Sequence, residues 1–338
     1  MLVSFAEAIK AATEISMRDN SNMHVLGLGA NYPNGLDGTM GDIAARYPGR
    51  VWDMPCSEDA LTGMAVGMAV SGLKPLVHHG RIEFAFHAFD QIITQAAKWN
   101  FMFGGDYPCP LTLRIAMGRQ WGNGPQHTFT AKGIFAVPGL KVVCPATPAA
   151  AKGLLLTAMA VPDPVIYLES RWLYKLKETV ASDEPMPFKA RVLRTGNDVT
   201  IVAVSDMVIE ALRAAQLLKT IGVSAEVIDV VSVYPIDYKT IHDSVRKTQK
   251  LVCVDASTPE YSVASEIVSR MKTGIIITCP DMACATAPSI TKHYYPTAAS
   301  IASYISWILV GSPYGFQDNS TFEEFNLPPT QNIDELIS

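Results

Sequence analysis

The chain has 338 residues, of which 49% are hydrophobic and 17% charged, and its formal net charge is −5 at pH 7. This length exceeds what one hydrophobic core usually serves, so two domains are expected. The acidic balance and the absence of a Lys/Arg-rich run argue against nucleic-acid binding, and no apolar run reaches the roughly 18 residues of a membrane span. The six cysteines form no CxxC pair, which favours reduced thiols and a cytoplasmic protein.

Short apolar runs alternate with helical patterns along the first half of the chain. Strands are predicted at 24–30, 50–55, 74–79, 110–117, 140–146 and 164–169, and helices at 5–19, 58–73, 88–103 and 148–161. This alternation is typical of an α/β domain with a mainly parallel sheet, which we place at residues 1–180. Ser57 and Thr147 each precede a helical pattern and are expected to cap its first turn.

A second α/β series follows a change in composition. The stretch 181–196 is polar, carries Pro185 and Pro187, and is predicted to be a linker. In the smaller second domain, 197–310, strands are predicted at 199–205, 225–233, 250–256 and 274–279, and helices at 208–221, 238–248, 264–271 and 298–309. An irregular tail is expected at 311–338. The predicted fold class is therefore α/β, with two α/β domains.

Glycines after the first predicted strand suggest a dinucleotide-binding loop. Gly27 and Gly29 occupy the first two glycine positions of a G-x-G-x-x-G pattern, but Tyr32 stands at the third and no helix follows directly. A tight turn at the strand exit is therefore the preferred interpretation.

A group of potential metal ligands lies further along. His79, Glu83 and His87 are spaced by four, which on a helix would place them on one face and suit zinc. Gly80 and the strand pattern before it argue against a continuous helix. The residues alone therefore predict no metal site.

Two residues suggest catalysis, each with a plain alternative. Glu58 opens a helix after a strand, where a carboxylate either complements the helix dipole or lines a ligand site at the sheet edge. His127 lies in a glycine-rich loop, either as a solvated residue or as a proton-transfer group. Gly63 and Gly67 lie four apart in one helix, which suits close packing within the chain or across a subunit interface, although chance placement explains them equally.

Several segments together resemble a known family. They are DMPCSEDALTGMAVGMAVSGLKPLV (53–77), FAFHAFDQIITQAAK (84–98), GNGPQHT (122–128), PGLKVVCPATPAAAKGLL (138–155), DPVIYLE (163–169), VTIVAVSDMVIEAL, AEVIDVVSVYPID and VASEIV. Their order and spacing over roughly residues 3–310 resemble the β subunits of pyruvate and branched-chain 2-oxo-acid dehydrogenase E1 components, which are transketolase-like thiamine-diphosphate enzymes. The resemblance implies a pyrimidine-binding N-terminal domain and a smaller transketolase-like C-terminal domain.

The resemblance also implies roles for three residues. The family's cofactor-activating glutamate falls on Glu58, its pyrimidine-stacking aromatic residue on Phe84, and its active-site histidine on His127. A carboxylate bonded to the pyrimidine N1′ favours the imino tautomer, whose 4′ nitrogen removes the thiazolium C2 proton. An aromatic ring fixes the pyrimidine by stacking, and a histidine can position or protonate the 2-oxo group. No metal ligand is expected on this chain.

One family motif is absent. The GDG motif that holds Mg²⁺ and the cofactor diphosphate does not occur, and Gly104-Gly105-Asp106 is the nearest string. The resemblance therefore implies an E1 α-type subunit that holds both groups, in an α₂β₂ heterotetramer. The implied reaction is decarboxylation of a small 2-oxo acid and transfer of its acyl group to a lipoyl-bearing E2.

Departures from the family leave alternatives open. The segment 78–83 carries His78, His79, Arg81 and Glu83 where the family is mostly apolar or small, and these residues suit either an anionic or polyhydroxylated substrate or an altered interface. The alternative function is therefore acyl or ketol transfer to a sugar or another small acceptor. A non-catalytic scaffold is a third hypothesis, which the presence of all three implied site residues argues against.

Overall fold

The computed structural model describes residues 1–32, 35, 38–119, 124–311, 315–316 and 329–337. The chain divides into two compact units. The first comprises Met1–Met117, Phe135–Glu169 and Lys177–Phe188, and the second comprises Gly118–Ile134, Ser170–Leu176 and Lys189–Ser338. The segment around His127 therefore belongs to the second unit, although its neighbours in sequence belong to the first. The domain bounds 1–180 and 197–310 stay a prediction.

The first unit is an α/β layer structure. Its strands are β1 (Leu2–Ser4), β2 (Met23–Gly27), β3 (Val51–Asp53), β4 (Lys74–His79), β5 (Thr112–Met117), β6 (Lys141–Val143), β7 (Val165–Ser170) and β8 (Lys177–Thr179). Its α-helices are α1 (Phe5–Asp19), α2 (Ile43–Arg46), α3 (Glu58–Val70), α4 (Ile82–Ala85), α5 (Ala97–Met102) and α6 (Pro148–Ala160). Six strands lie in the order β3-β2-β4-β5-β7-β6, and the pairs β2–β3, β2–β4, β4–β5 and β6–β7 are parallel. The predicted fold class is confirmed.

The central strands are buried along their whole length. Every residue of β5 and β7 is buried, as is β4 after Lys74, so the polar side chains that these strands carry, such as Arg114 and Glu169, are buried with the apolar ones. Helices α1 and α6 pack against each other. The strand pair β1–β8 is antiparallel and lies outside the main sheet.

Two local predictions need correction. The helix predicted at 88–103 is a 3₁₀ turn (Phe86–Ala88), a π-helical segment (Asp90–Ala96) and then α5. The π-helical segment contains three consecutive β-branched residues, Ile92-Ile93-Thr94, which weaken helix propensity.

Of the two predicted helix caps, Thr147 caps α6 as expected, since its Oγ1 accepts from Ala150 N at 3.2 Å. Ser57 precedes α3, but its hydroxyl makes no capping hydrogen bond.

The glycines of α3 show no tight packing within the described chain. A Cβ placed on Gly63 would meet Gln91 Cγ at 3.5 Å, an ordinary contact, and one on Gly67 would meet nothing within 4 Å. The structure therefore gives no support to close packing within the chain, and the alternatives of a subunit interface and of chance placement both stay untested.

The second unit is a separate α/β structure. Its strands are β9 (Arg191–Arg194), β10 (Val199–Ala203), β11 (Ala225–Asp229), β12 (Ser232–Tyr234), β13 (Leu251–Val254) and β14 (Ile275–Ile277). Its α-helices are α7 (Met207–Lys219), α8 (Tyr238–Thr248), α9 (Val263–Met271), α10 (Pro288–Thr291), α11 (Ala298–Val310) and α12 (Asp334–Ile337). The sheet order is β14-β13-β10-β11-β9, parallel except for the antiparallel edge pair β11–β9.

The predicted linker and tail both contain structure. Strand β9 lies inside 181–196, and its Val192 side chain is 44% exposed. An edge strand without a buried face needs no run of apolar residues, so the sequence contained no sign of it. Helix α12 lies inside the predicted irregular tail, where Glu335 O accepts from Gln216 Nε2 of α7 at 3.1 Å. None of the helices in the described part of the chain is both long and apolar enough for a bilayer span.

Candidate active site

Two of the three expected site residues lie at one edge of the first sheet. Strands β3 and β4 run parallel to β2, which lies between them, so the segments after Asp53 and His79 leave the sheet at the same edge. Glu58 begins the helix after β3, and Phe84 lies in the short helix after β4; these two helices, α3 and α4, pack against each other. Ligand sites in parallel α/β sheets form at this carboxyl edge.

The Glu58 carboxylate is half-buried and makes few hydrogen bonds within the described chain. Among the described residues its one hydrogen-bonding contact is the Cys56 thiol, 3.9 Å from Oε1. The neighbouring Asp59 does the capping instead: its Oδ1 accepts from Ala60 N at 2.7 Å and from Ser57 Oγ at 3.0 Å, and the Ala60 bond is the largest cause lowering its pKa. Because Asp59 serves the helix terminus, the Glu58 carboxylate is available to accept a hydrogen bond from a ligand.

The Phe84 ring is 36% exposed in a helix of four residues. This short helix begins at the turn after Arg81, whose carbonyl accepts from Phe84 N at 3.2 Å and Ala85 N at 3.3 Å. A partly exposed ring held by buried neighbours offers a stacking surface for a flat heterocycle.

His127 belongs to the second unit. It ends a 3₁₀ turn (Pro125–His127), in which its backbone N donates to Gly124 O at 3.0 Å, and Thr128 Oγ1 donates to Pro125 O at 3.1 Å. The start of the predicted GNGPQHT motif, Gly122 and Asn123, lies outside the described residues. Glu58 and Phe84 thus share one unit, and His127 is carried by the other.

The unusual histidines His78 and His79 both contact buried side chains of the first unit. His79 Nε2 lies 3.0 Å from Thr62 Oγ1 of α3, and His78 Nε2 lies 3.4 Å from Glu169 Oε1. All four side chains are buried. Burial, reinforced by His78, lowers the pKa of His79 to about 3, so its ring is neutral near pH 7.

The spaced trio His79, Glu83 and His87 is divided among a strand, a short helix and a 3₁₀ turn. In the part of the chain that the structure describes, no cluster of three His, Cys, Asp or Glu side chains is suited to a metal ion.

A buried ion pair supports the same sheet. Arg114 donates from Nε to Glu169 Oε2 at 3.1 Å and from Nη2 to Glu169 Oε1 at 2.8 Å, and Nη2 also donates to Thr39 Oγ1 at 2.9 Å. Burial by itself raises the pKa of Glu169, but the charge of Arg114 and the contact with His78 outweigh it and hold that pKa at about 2. The sequence places a positive charge, Arg114, in one buried strand and a negative charge, Glu169, in another. A buried charge needs a partner of opposite charge, and this is the signal that the sequence offered.

The second unit contains a cavity of ≈ 400 Å³. It is lined by Lys292, His293 and Thr297, among others, at the start of α11. The first-turn amide of this helix, Ala298 N, already donates to Glu210 Oε2 at 2.8 Å. The helix terminus is therefore satisfied within the chain.

Comparisons with known proteins identify both halves of the chain. The family model "Transketolase, pyrimidine binding domain" matches residues 3–177, and "Transketolase, C-terminal domain" matches 188–301. The acetoin:2,6-dichlorophenolindophenol oxidoreductase subunit beta of Cupriavidus necator is 37% identical over 281 residues, which cover 80% of this chain and 83% of that protein. The pyruvate dehydrogenase E1 component subunit beta of Acholeplasma laidlawii is 32% identical over 332 residues, covering 92% and 99%.

A solved structure extends the comparison to the fold. The chain of a split-gene transketolase, in an inactive β4 tetramer, superimposes with a TM-score of 0.77 over 91% of this chain and 99% of that one. At 22% sequence identity this likeness shows the fold alone.

Proposed function

This chain belongs to the transketolase-like family that includes the β subunits of thiamine-diphosphate-dependent 2-oxo-acid dehydrogenase E1 components, and we propose that it supplies the pyrimidine-binding half of each active site. The observation that carries the proposal is the Glu58 carboxylate, half-buried at the sheet edge with the Cys56 thiol as its one hydrogen-bonding contact among the described residues. A carboxylate so placed can accept the hydrogen bond that activates the cofactor.

The described residues fit the pyrimidine end of thiamine diphosphate. The carboxylate of Glu58 would hold N1′ of the pyrimidine, and the partly exposed ring of Phe84 would stack on its face. When bound, the cofactor supplies the carbon that adds to the 2-oxo group and accepts the electrons left when carbon dioxide departs. His127 would hold or deliver a proton at the oxygen of the 2-oxo group.

The diphosphate and Mg²⁺ are proposed to lie on an E1 α-type partner, because this sequence contains no GDG motif.

Exposed apolar side chains of the first unit support a partner, and Phe101 is 88% exposed. These side chains are Leu28, Tyr32, Trp52, Met64, Phe101, Met102, Phe103 and Tyr107. Three aromatic rings of this unit contact one another in series: the Trp99 and Phe103 rings are tilted with centroids 4.8 Å apart, and Phe103 and Tyr107 meet edge to face at 5.9 Å. Apolar surface of this kind marks an interaction site, and we propose an α₂β₂ heterotetramer.

The proposed reaction is decarboxylation of a 2-oxo acid and transfer of its acyl group to a lipoyl-bearing E2. Among the described residues, which include all six cysteines, the thiols form no disulfide, in keeping with the reducing cytoplasm that we propose for the enzyme.

The role of Glu58 is tested with a matched pair of adjacent acids. The chain is co-expressed with an E1 α-type protein, and 2-oxo acid oxidation is followed with a dye acceptor. Glu58→Gln should lower kcat by about 100-fold or more, because the amide cannot activate the cofactor. Asp59→Asn, in which the amide oxygen still caps α3, should keep kcat within about threefold. Full activity of the Glu58→Gln complex would overturn the proposal.

The acceptor is tested separately. The wild-type complex is supplied with a 2-oxo acid and either an isolated lipoyl domain or a panel of sugar aldehydes. Acylation of the lipoyl domain, detected by mass spectrometry, is the expected result. Carbon–carbon bond formation with an aldehyde and no acylation of the lipoyl domain would replace the E2 assignment with a transferase.

A further inference from the structure

Two buried basic residues bracket His127 within the second unit. On the N-terminal side, the guanidinium carbon of Arg119 lies 4.1 Å from the ring centroid of Trp172 and 4.6 Å from that of Tyr295. Arg119 is 4% exposed. A desolvated guanidinium between two aromatic faces is held more firmly than a surface side chain. The chain is therefore fixed eight residues before His127.

On the C-terminal side, Lys132 Nζ lies 2.7 Å from Asp255 Oδ1, and both side chains are fully buried. Asp255 is itself held, because its Oδ2 accepts from Val263 N at 2.9 Å and its Oδ1 lies 3.1 Å from Ser257 Oγ. Ser257 Oγ also donates to Thr130 O at 2.7 Å. One cluster at the end of β13 and the start of α9 thus fixes two points of the His127 segment.

The backbone next to Lys132 adds a third point. A Cβ placed on Gly133 would lie 2.4 Å from the carbonyl oxygen of Tyr261, so only glycine allows the two backbones to approach this closely. Residues 130–133 therefore lie directly against the connection between β13 and α9 of the same unit.

We infer that Lys132, Asp255 and Ser257 are positioning residues for His127. The inference rests on the proposed function, in which His127 acts on the substrate. Separating the ion pair would leave a charge without its partner in a dry interior, so the pair holds one end of the segment through the whole reaction cycle. Displacement of a catalytic group by about 1 Å costs on the order of 100-fold in rate, so fixing the segment fixes the position of the histidine.

The test compares a buried ion pair with an exposed one in the same unit. K132M/D255N removes both charges, and the asparagine oxygen can still accept from Val263 N. The control is K239M/D243N, because Lys239 and Asp243 form an ion pair with side chains 85% and 50% exposed. Hydrogen exchange of peptides covering 124–131 and steady-state kinetics are measured on the co-expressed complex. A gentler variant, Ser257→Ala, removes the hydroxyl that contacts Thr130 and serves if K132M/D255N does not fold.

In K132M/D255N we expect exchange in 124–131 to rise by about tenfold and kcat to fall by 10- to 100-fold, with the Kd for thiamine diphosphate unchanged within twofold. Ser257→Ala should change exchange and kcat in the same directions by about threefold, and the control should change neither. Unchanged exchange, or unchanged kcat, in both test variants would overturn the inference. His127→Ala separates the two proposals: full activity of that variant would overturn the proposed role of His127 itself.

Discussion

Each unit buries a basic side chain against a carboxylate, but the two pairs stand in different surroundings. Arg114 and Glu169 lie on the adjacent strands β5 and β7 and share two hydrogen bonds. Lys132 lies in a connecting segment and shares one hydrogen bond with Asp255, which follows β13. The first pair holds together the sheet whose edge carries Glu58 and Phe84, and the second holds a segment that carries His127. Loss of the first should therefore mainly reduce stability, and loss of the second should mainly reduce turnover.

The largest effect is expected from Arg114→Met. This change leaves the Glu169 carboxylate buried without its cation, which typically costs about 3–5 kcal/mol. Urea unfolding of the full chain, followed through the transition of the first unit, measures the loss. The control is Arg18→Met, because Arg18 pairs with Asp19 at the surface, where both groups stay hydrated, and should lower stability far less. Equal losses of stability in the two variants would contradict the claim that the buried ion pair stabilises the fold more than the surface pair does.

The next effect is a pH dependence that belongs to His79. Its pKa is about 3 in the folded chain and about 6.5 when unfolded, so the unfolded chain binds the additional proton between these values. Stability is therefore full above pH 6.5 and falls by up to about 1.4 kcal/mol per pH unit as the pH decreases toward 3. His79→Gln should flatten the pH dependence of the urea midpoint measured from pH 6.5 to 5, and the same change at exposed His242 is the matched control. An unchanged slope in His79→Gln would show that this histidine carries a charge in the fold.

A smaller effect at lower pH belongs to the ion pair itself. The pKa of Glu169 is held at about 2, below its ordinary value near 4.5, so the pair stabilises the fold above pH 4.5 and loses this contribution as the pH falls toward 2. The variant R114M/E169Q should lack this part of the slope between pH 4.5 and 3.5, about 1 kcal/mol. A wild-type slope in the double variant would assign the acid sensitivity to other carboxyls.

The smallest effect is expected at the surface of the second unit. K239M/D243N should leave the free energy of unfolding almost unchanged, because both partners keep their hydration in the folded chain. Urea unfolding of this variant gives the baseline with which K132M/D255N is compared. A loss as large as that of Arg114→Met would contradict the distinction between exposed and buried pairs.

Local patterns predicted most of the fold because each element depends mainly on its own residues. The strands β4, β5 and β7 are buried on both faces, and the apolar residues that each contains were enough to place it. Strand β9 was missed because it lies at a sheet edge and needs no such run. The helix at 88–103 was placed in the right part of the chain, but its hydrogen-bond pattern was not, since apolar spacing does not separate α from π turns.

The candidate site divides in the same way. Glu58, Phe84 and His127 were proposed because their neighbours in sequence match a family pattern. The supporting pairs were not, because their partners lie far apart in the chain: 55 residues separate Arg114 from Glu169, and 123 separate Lys132 from Asp255. Only tertiary packing brings such charges together, and a single charge in an apolar segment shows that a partner exists without showing which residue it is.

The most direct test is calorimetry with thiamine diphosphate and Mg²⁺, performed on this chain alone and on the complex with its E1 α-type partner. A site divided between two subunits predicts Mg²⁺-dependent binding by the complex and none by the chain alone, and binding by the complex should weaken when Phe84 is replaced by alanine. Tight, Mg²⁺-dependent binding by this chain alone would contradict the account, because the chain would then hold the diphosphate itself.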